Sequence, residues 1–487
     1  MDNPTKTSII EIISSAPSNR QSWLAANTKG KNIQRRAYLK AKMHLDSFIE
    51  GSQSQWLIMP GLRGIGKTTI LTQLYLDTAI PEHRKFYVSL ERIKLAGGTI
   101  SDVITVIEEL VDSRLEDISD PLFLFLDEVQ FLEDWALALK TVYDRTPHVF
   151  IVCTGSSAIA LQSNPDVARR SLKIPVHPLC FTEYVMIRQA HETDRQFINF
   201  PANGLAGEIR HALFGARTAE QVFAQLEALR PRVTQYWRQL PNKSEYLYDY
   251  IKFGTLPFTL HETEEIIRWQ RINSLLNESL ARDIDTTEQF DPSTRVLFPR
   301  LLFLIASSDT LSHNKLTETL NLNVRTIVSM LETLQQTEIL NGILPRGSAY
   351  RQISKPTKYL FTSPAMRAAL CTSGGALEEE KAGVLRGRLI EDMAGLYLRR
   401  ILNPNETPAI LEYDHLPNSA DFVISRSGSK EEAIAIEVGS KKQSAVQAFN
   451  TLEKNGGKYG LVISSEPLSL DLSKKSVFVP FDYFLLV

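Results

Sequence analysis

Cysteine is scarce in this chain. Three residues, Cys153, Cys180 and Cys371, stand far apart in 487 positions with no C-x-x-C spacing. That excludes a disulfide framework and a thiolate zinc site, and it suits a reducing compartment. Charge of one sign is lacking too: 54 Lys and Arg face 56 Asp and Glu, a net charge of −2. No global field draws the chain to a polyanion or an anionic surface, so any such binding needs a local patch. Long apolar runs are missing, since stretches such as "VLFPRLLFLIASS" are short and interrupted by Arg300, and no membrane span is expected. The start, "MDNPTKTSIIEIISSAPSNR", has no basic stretch leading into a long apolar one, so no secretory signal is expected. The reading is a cytoplasmic protein without a membrane partner.

What is present is an ordinary globular composition, 43% hydrophobic and 23% charged, in a chain long enough for about two to four domains. Near the N-terminus come four apolar runs, "QWLIM", "KFYVSL", "LFLFL" and "HVFIVCT", and a weaker fifth, "SLKIPV". Each is bounded by Gly, Pro or charge, with helical spacing between them. Continuous apolar runs alternating with helices predict an α/β domain whose parallel sheet is buried on both faces.

The loop after the first run reads "GLRGIGKTT", from Gly61 to Thr69, and fits G-x-x-x-x-G-K-[ST] at every fixed position. Gly61, Gly64 and Gly66 let backbone N–H groups turn inward around phosphates, and the next helix presents its positive end to the same anion. Lys67 is placed to reach the β- and γ-phosphates and Thr68 to ligate Mg²⁺, with Thr69 beside them in the cofactor-binding set. "LFLFLDEVQ" supplies the acids: Asp127 to hold Mg²⁺, and Glu128 to orient and polarise an attacking water. An Asp alone would suggest a binder, whereas the Asp-Glu pair suggests hydrolysis of ATP, with Lys67 and Glu128 catalytic. The fourth run ends in "CTGSS", where Thr154, Ser156 or Ser157 is placed to contact the γ-phosphate or the water. Arg169 and Arg170 precede the fifth run; Arg170 is placed with the cofactor-binding residues, in cis or across a subunit boundary, and an oligomer stays open.

"PGLRGIGKTTIL", "FLDEVQ" with Trp135 soon after, "CTGSS", "RRSLKIPVHPLCFTEY" and "YDYIKFGTLPFTL" follow one another in this order. The chain so resembles the bacterial and archaeal AAA-superfamily ATPases that carry a C-terminal nuclease-like domain of unknown function. The resemblance implies a P-loop ATPase parallel sheet with a helical lid, a winged helix-turn-helix and a C-terminal α/β nuclease-like domain. The boundaries expected are 1–50 for an N-terminal helical segment, 51–180 for the ATPase core, 181–290 for the lid, 291–370 for the winged helix and 384–487 for the last domain. "CTSGGALEEEKAG", residues 371–383, reads as the loop before it.

Within the winged helix, "NKLTETLN" and "VRTIVSMLETLQQTEIL" read as helices, the second with Ile327, Leu331, Leu334 and Ile339 on one face. A hairpin follows whose Arg346, Arg351, Lys355 and Lys358 suit phosphate contacts, so DNA through this hairpin and a protein partner both stay open. In the last region "SADFVIS" and "EEAIAIEVGS" read as strands, after a helix carrying Glu391. Glu391, Asp421 and Glu437 are three carboxylates that suit a hard cation if they converge. The resembling nuclease core reads E-V-K where this chain has Glu437-Val438-Gly439, and Ala420 replaces a frequent acid. Lys441 shares a strand face with Gly439 about 7 Å further along. The sequence thus leads to an ATP-hydrolysing protein that couples nucleotide state to a nucleic-acid or protein partner. A nucleic-acid-binding regulator with ATP as ligand, or an ATP-gated nuclease, are the alternatives.

Overall fold

The structure, a computed structural model, describes residues 2–51, 55–155, 165–192, 204–285, 290–308, 313–347, 355–373, 379–402, 409–426 and 429–487. The chain divides into two compact units. The first holds Met1–His177 with Ala190–Arg195 and Gln336–Glu338; the second holds Pro178–Gln189, Gln196–Gln335 and Ile339–Val487.

In the first unit all five apolar runs form strands: β1 (Gln55–Pro60), β2 (Lys85–Ser89), β3 (Leu122–Asp127), β4 (Val149–Gly155) and β5 (Ser171–Lys173). Every neighbouring pair is parallel and the order is β2-β3-β4-β1-β5. β1, β3 and β4 sit inside the sheet, where side chains on both faces leave water; Leu122 to Leu126 are wholly buried, as a doubly covered sheet requires. The weak run, β5, lies at the edge. Because β4 separates β1 from β3, its C-terminal end falls between the loop after β1 and the acids after β3.

Three helices precede the sheet: α1 (Asn3–Ser14), α2 (Ala16–Thr28) and α3 (Arg36–Ile49). Asp2 caps α1 by accepting the Thr5 N–H, and proline occupies its first turn, where no intrahelical N–H is needed. Ile9, Ile12 and Ile13 of α1 join Trp56, Phe86 and Val88 in one core. α2 lies against β2 and against α4 (Lys67–Asp77), and α3 lies against α4 and β1. The first fifty residues are therefore built into the core of this unit.

The second unit opens with most of the helix Phe181–Glu192, whose last residues count with the first unit, and continues with helices Leu205–Phe214, Ala219–Arg238 and Glu265–Asp285. Helices His313–Leu320 and Val324–Gln336 follow, then strands β6 (Leu340–Pro345) and β7 (Lys358–Phe361). The helix expected to run to Leu340 stops at Gln336. Glu338 turns left-handed at φ 60° and the Ile339 N–H returns to the Leu334 carbonyl at 3.1 Å, so the chain reverses before β6. The stretch expected as a loop at 371–383 is helical on both flanks, to Ser373 and again from Glu379.

After the helix Glu379–Ile401 come β8 (Ala409–Tyr413), β9 (Phe422–Arg426), β10 (Ser429–Val438), helix Val446–Asn455, β11 (Tyr459–Ser464), β12 (Ser469–Asp471) and β13 (Ser476–Pro480). The sequence pattern did not reveal β8. Its pairing is informative, because it runs antiparallel to β9 and parallel to β6, with Leu344 opposite Glu412. The hairpin β6–β7 is thereby hydrogen-bonded into one eight-stranded sheet, ordered β12-β13-β11-β10-β9-β8-β6-β7. Among the described residues, no helix is long and apolar enough to cross a membrane.

Candidate functional site

The loop between β1 and α4 owes its path to glycine. Gly64 and Gly66 have φ of 76° and 92°, in the left-handed region that side chains disfavour. A Cβ on Gly61 would stand 2.3 Å from the Val176 carbonyl oxygen, beside the 2.8 Å bond from the Val176 N–H to the Pro60 carbonyl. Thr68 and Thr69 occupy the first turn of α4, half-buried. Lys67 is only 3% exposed, and its ammonium donates to the carbonyls of Gly61 and Leu62 at 2.9 and 3.1 Å. It also lies 3.9 Å from Glu128 Oε1. Burial pushes the Lys67 pKa down, against the pull of the Glu128 and Asp127 carboxylates.

Asp127, at the end of β3, is buried and accepts three hydroxyl protons. Thr68 Oγ1 donates to Oδ1 at 3.2 Å, Thr154 Oγ1 to Oδ1 at 2.6 Å, and the Tyr87 hydroxyl to Oδ2 at 2.8 Å. Burial raises its pKa; the Thr154 hydrogen bond opposes this and the neighbouring Glu128 charge adds to it. Glu128 has a left-handed backbone, φ 58° and ψ 56°, an uncommon conformation for a non-glycine residue. Its N–H donates to Thr154 Oγ1 at 2.9 Å, and its carboxylate accepts from Gln130 Nε2.

The structure thus gathers Lys67, Thr68, Asp127, Glu128 and Thr154 at the C-terminal ends of β1, β3 and β4. Ser156 and Ser157 lie outside the described residues. Arg170 makes a two-point contact with Asp144, Nε to Oδ1 at 2.7 Å and Nη2 to Oδ2 at 2.9 Å. Arg169 is exposed. Sequence reasoning missed Tyr87, which reaches Asp127 from the adjacent strand, where Ser89 rather than Tyr87 is the register partner of Asp127. It also missed Gln130, for which the signal was its place two residues after Glu128. A third omission is Arg35, just before α3, whose buried guanidinium donates to the carbonyl of Ile65 within the loop and to that of His177 at 2.7 Å.

The acids of the second unit turn out differently from expectation. Among the described residues no group of three or more His, Cys, Asp or Glu is placed to hold a metal, although Glu391 and Asp421 are near enough for the Glu391 charge to raise the Asp421 pKa. Lysines take their charges instead. Lys358 of β7 pairs with Glu391 and donates to the Asp421 carbonyl at 3.3 Å. Lys442 pairs with Glu437 Oε1 at 2.8 Å and donates to Gln447 Oε1 at 3.0 Å. Asp421 Oδ2 accepts the Val438 N–H at 2.8 Å. Its carboxyl is pushed up to about 6, chiefly by burial, with Lys358 opposing. The lysine beside Gly439 is Lys442, not Lys441, since a Cβ on Gly439 would meet Lys442 Cγ at 2.7 Å.

The hairpin's basic set is also partly committed. Lys358 faces Glu391, and Arg346 is partly desolvated, which lowers its pKa, with Glu412 and Asp414 opposing. Arg351 lies outside the described residues.

Comparison with known proteins agrees with the geometry of the first unit. Residues 53–185 match the family described as AAA domain. An uncharacterized protein of Methanocaldococcus jannaschii is 28% identical over 461 residues, covering 94% of this chain and 90% of that one. Aeropyrum pernix ORC1 in complex with DNA aligns with a TM-score of 0.30 and 12% identity, over 70% of this chain and 94% of that chain. AMPPCP-bound DnaA from Aquifex aeolicus aligns with a TM-score of 0.26 and 14% identity, over 63% of this chain and 90% of that chain. Likeness at these scores carries no weight for function. Residues 53–185 are thus similar to the AAA domain family, and the parallel sheet around the glycine loop agrees with the P-loop fold of that superfamily.

Proposed function

We propose that the first unit binds ATP with Mg²⁺ and hydrolyses it, and that nucleotide state is coupled to a partner through the rest of the chain. The observation that carries this reading is the hydrogen-bonded set Thr68–Asp127–Thr154–Glu128 beside a buried Lys67. One ammonium, a helix N-terminus opened by glycines, and hard oxygen donors suit a polyphosphate with a divalent cation. Thr68 and Asp127 would hold Mg²⁺, which when bound draws charge from the phosphate oxygens.

Lys67 now donates to carbonyls of its own loop, so phosphate oxygens would replace those acceptors. A buried ammonium has more to gain from an anion than an exposed one, because water screens it less. Glu128 is placed to orient and polarise the attacking water. Gln130 holds one carboxylate oxygen, and the left-handed backbone tethered to Thr154 fixes where the side chain starts. Thr154 bridges Asp127 and the Glu128 backbone, so a shift of either acid is felt by the other. A ligand moves such a set only as far as its affinity differs between two arrangements.

The test is ATP turnover by wild type, Lys67→Ala and Glu128→Gln, each with and without single- and double-stranded DNA. Turnover lost in both variants supports the assignment. Stimulation by DNA makes nucleic acid the partner, and indifference to DNA points to a protein. No turnover by wild type under any condition overturns hydrolysis and leaves a nucleotide-binding scaffold.

A further inference from the structure

Asp127 is gripped through both of its oxygens, and the two grips share a design. On one side Thr154 accepts the Glu128 N–H at 2.9 Å and hands its own proton to Oδ1 at 2.6 Å. On the other side the Tyr87 hydroxyl donates to Oδ2 at 2.8 Å, while Arg20 Nη1 approaches the same hydroxyl at 3.4 Å. A guanidinium has donors and no acceptor. In the Arg20–Tyr87 contact the phenol oxygen must therefore accept, which leaves its single proton for Asp127. The guanidinium is kept in place by stacking, 4.9 Å from the Tyr87 ring centre and 5.2 Å from that of Trp23.

We infer that Tyr87 and Arg20 are a positioning pair that orients Asp127 for a divalent cation. The inference rests on the ATP and Mg²⁺ reading above and adds residues outside both sequence motifs. Arg20 lies on α2, before the residues 53–185 that match the AAA domain family. A hydroxyl donor directs a carboxylate without cancelling its charge, so the pair fixes the lone pairs of Asp127 while leaving its negative charge for the cation. An ammonium in the same place would remove that charge. Groups that orient a metal-holding carboxylate in this way typically change metal affinity by about 10- to 100-fold when removed.

The experiment is binding of a fluorescent ATP analogue to the full chain, titrated with Mg²⁺ and repeated in EDTA, for wild type, Tyr87→Phe, Arg20→Gln and Lys67→Ala. Tyr87→Phe is expected to raise the half-saturating Mg²⁺ concentration about tenfold and to leave affinity in EDTA unchanged. Arg20→Gln should shift it in the same direction by less. An unchanged Mg²⁺ requirement in both variants overturns the inference. An equal loss of affinity with and without Mg²⁺ overturns it as well, because that is what a purely structural role predicts. If Tyr87→Phe shows no cooperative melt, Arg20→Gln, whose side chain is half-exposed, decides the matter by the same criteria. Wild type that binds no more nucleotide than Lys67→Ala overturns the ATP reading itself, an outcome distinct from a Mg²⁺ shift between binding-competent proteins.

Discussion

Two sets of carboxylates stand out in this molecule, one in each unit, and their partners differ in kind. Asp127 is held by the hydroxyls of Thr68, Thr154 and Tyr87. Glu391 and Glu437 are each held by an ammonium, from Lys358 and Lys442. Both arrangements give the carboxylates donors, but only the first preserves the negative charge. A hard cation needs charge as well as oxygens, so the first set is suited to Mg²⁺ and the second is already neutralised. The second set resembles a metal site in residue type and order, yet its cations are built into the chain.

The largest effect that would sharpen this contrast is in the first set. Glu128→Gln should lower turnover by about 10²–10⁴-fold, the usual range for losing a proton-handling group, while binding of ATP persists; a single-turnover assay beside a binding titration separates the two. Next comes the second set. Lys442→Met should destabilise the second unit by about 1–3 kcal/mol, since Glu437 is 3% exposed and its Oε2 already lacks a hydrogen-bond partner. The double variant with Glu437→Gln should recover much of that loss in urea melts. If Lys442→Met instead were neutral and Mg²⁺ stabilised it, the second set would behave as a cation site and the contrast would break.

The last effect expected is a pH dependence. Asp421, raised from its ordinary 3.8 to about 6, binds a proton more readily folded than unfolded. Its contribution to stability is full below its unfolded value and is lost as pH rises toward 6. Asp421→Asn should flatten that slope between about pH 4 and 6, measured by melts across the window.

The first unit was largely legible in the sequence, because continuous apolar strands and a glycine loop declare themselves locally. Thr154 stood out among three hydroxyls only as a candidate, and it needed the strand order to place it beside Asp127. Tyr87 was hidden, since nothing in "KFYVSL" says which strand it adjoins. In the second unit the period-two rule selected Lys441. It failed because β10 ends at Val438, so alternation no longer applies to the residues beyond it, and the turn delivers Lys442 instead. The hairpin read as a basic surface contains Lys358, whose path to Glu391 depends on β6 pairing with β7 and on the helix Glu379–Ile401 packing against β7. Such pairings across distant sequence carry no local signature.

The inclusion of α1 in the first core has a consequence for synthesis. Ile9, Ile12 and Ile13 pack with Phe86 and Val88, which leave the ribosome only after some seventy intervening residues. Until then this helix has an apolar face and nothing to set it against. The nascent chain must carry that face unpaired, shielded by a chaperone or by its own collapse, before the sheet exists to receive it. A gene trimmed to the edges of the family match would leave the opposite scar, a sheet whose greasy flank has lost its cover.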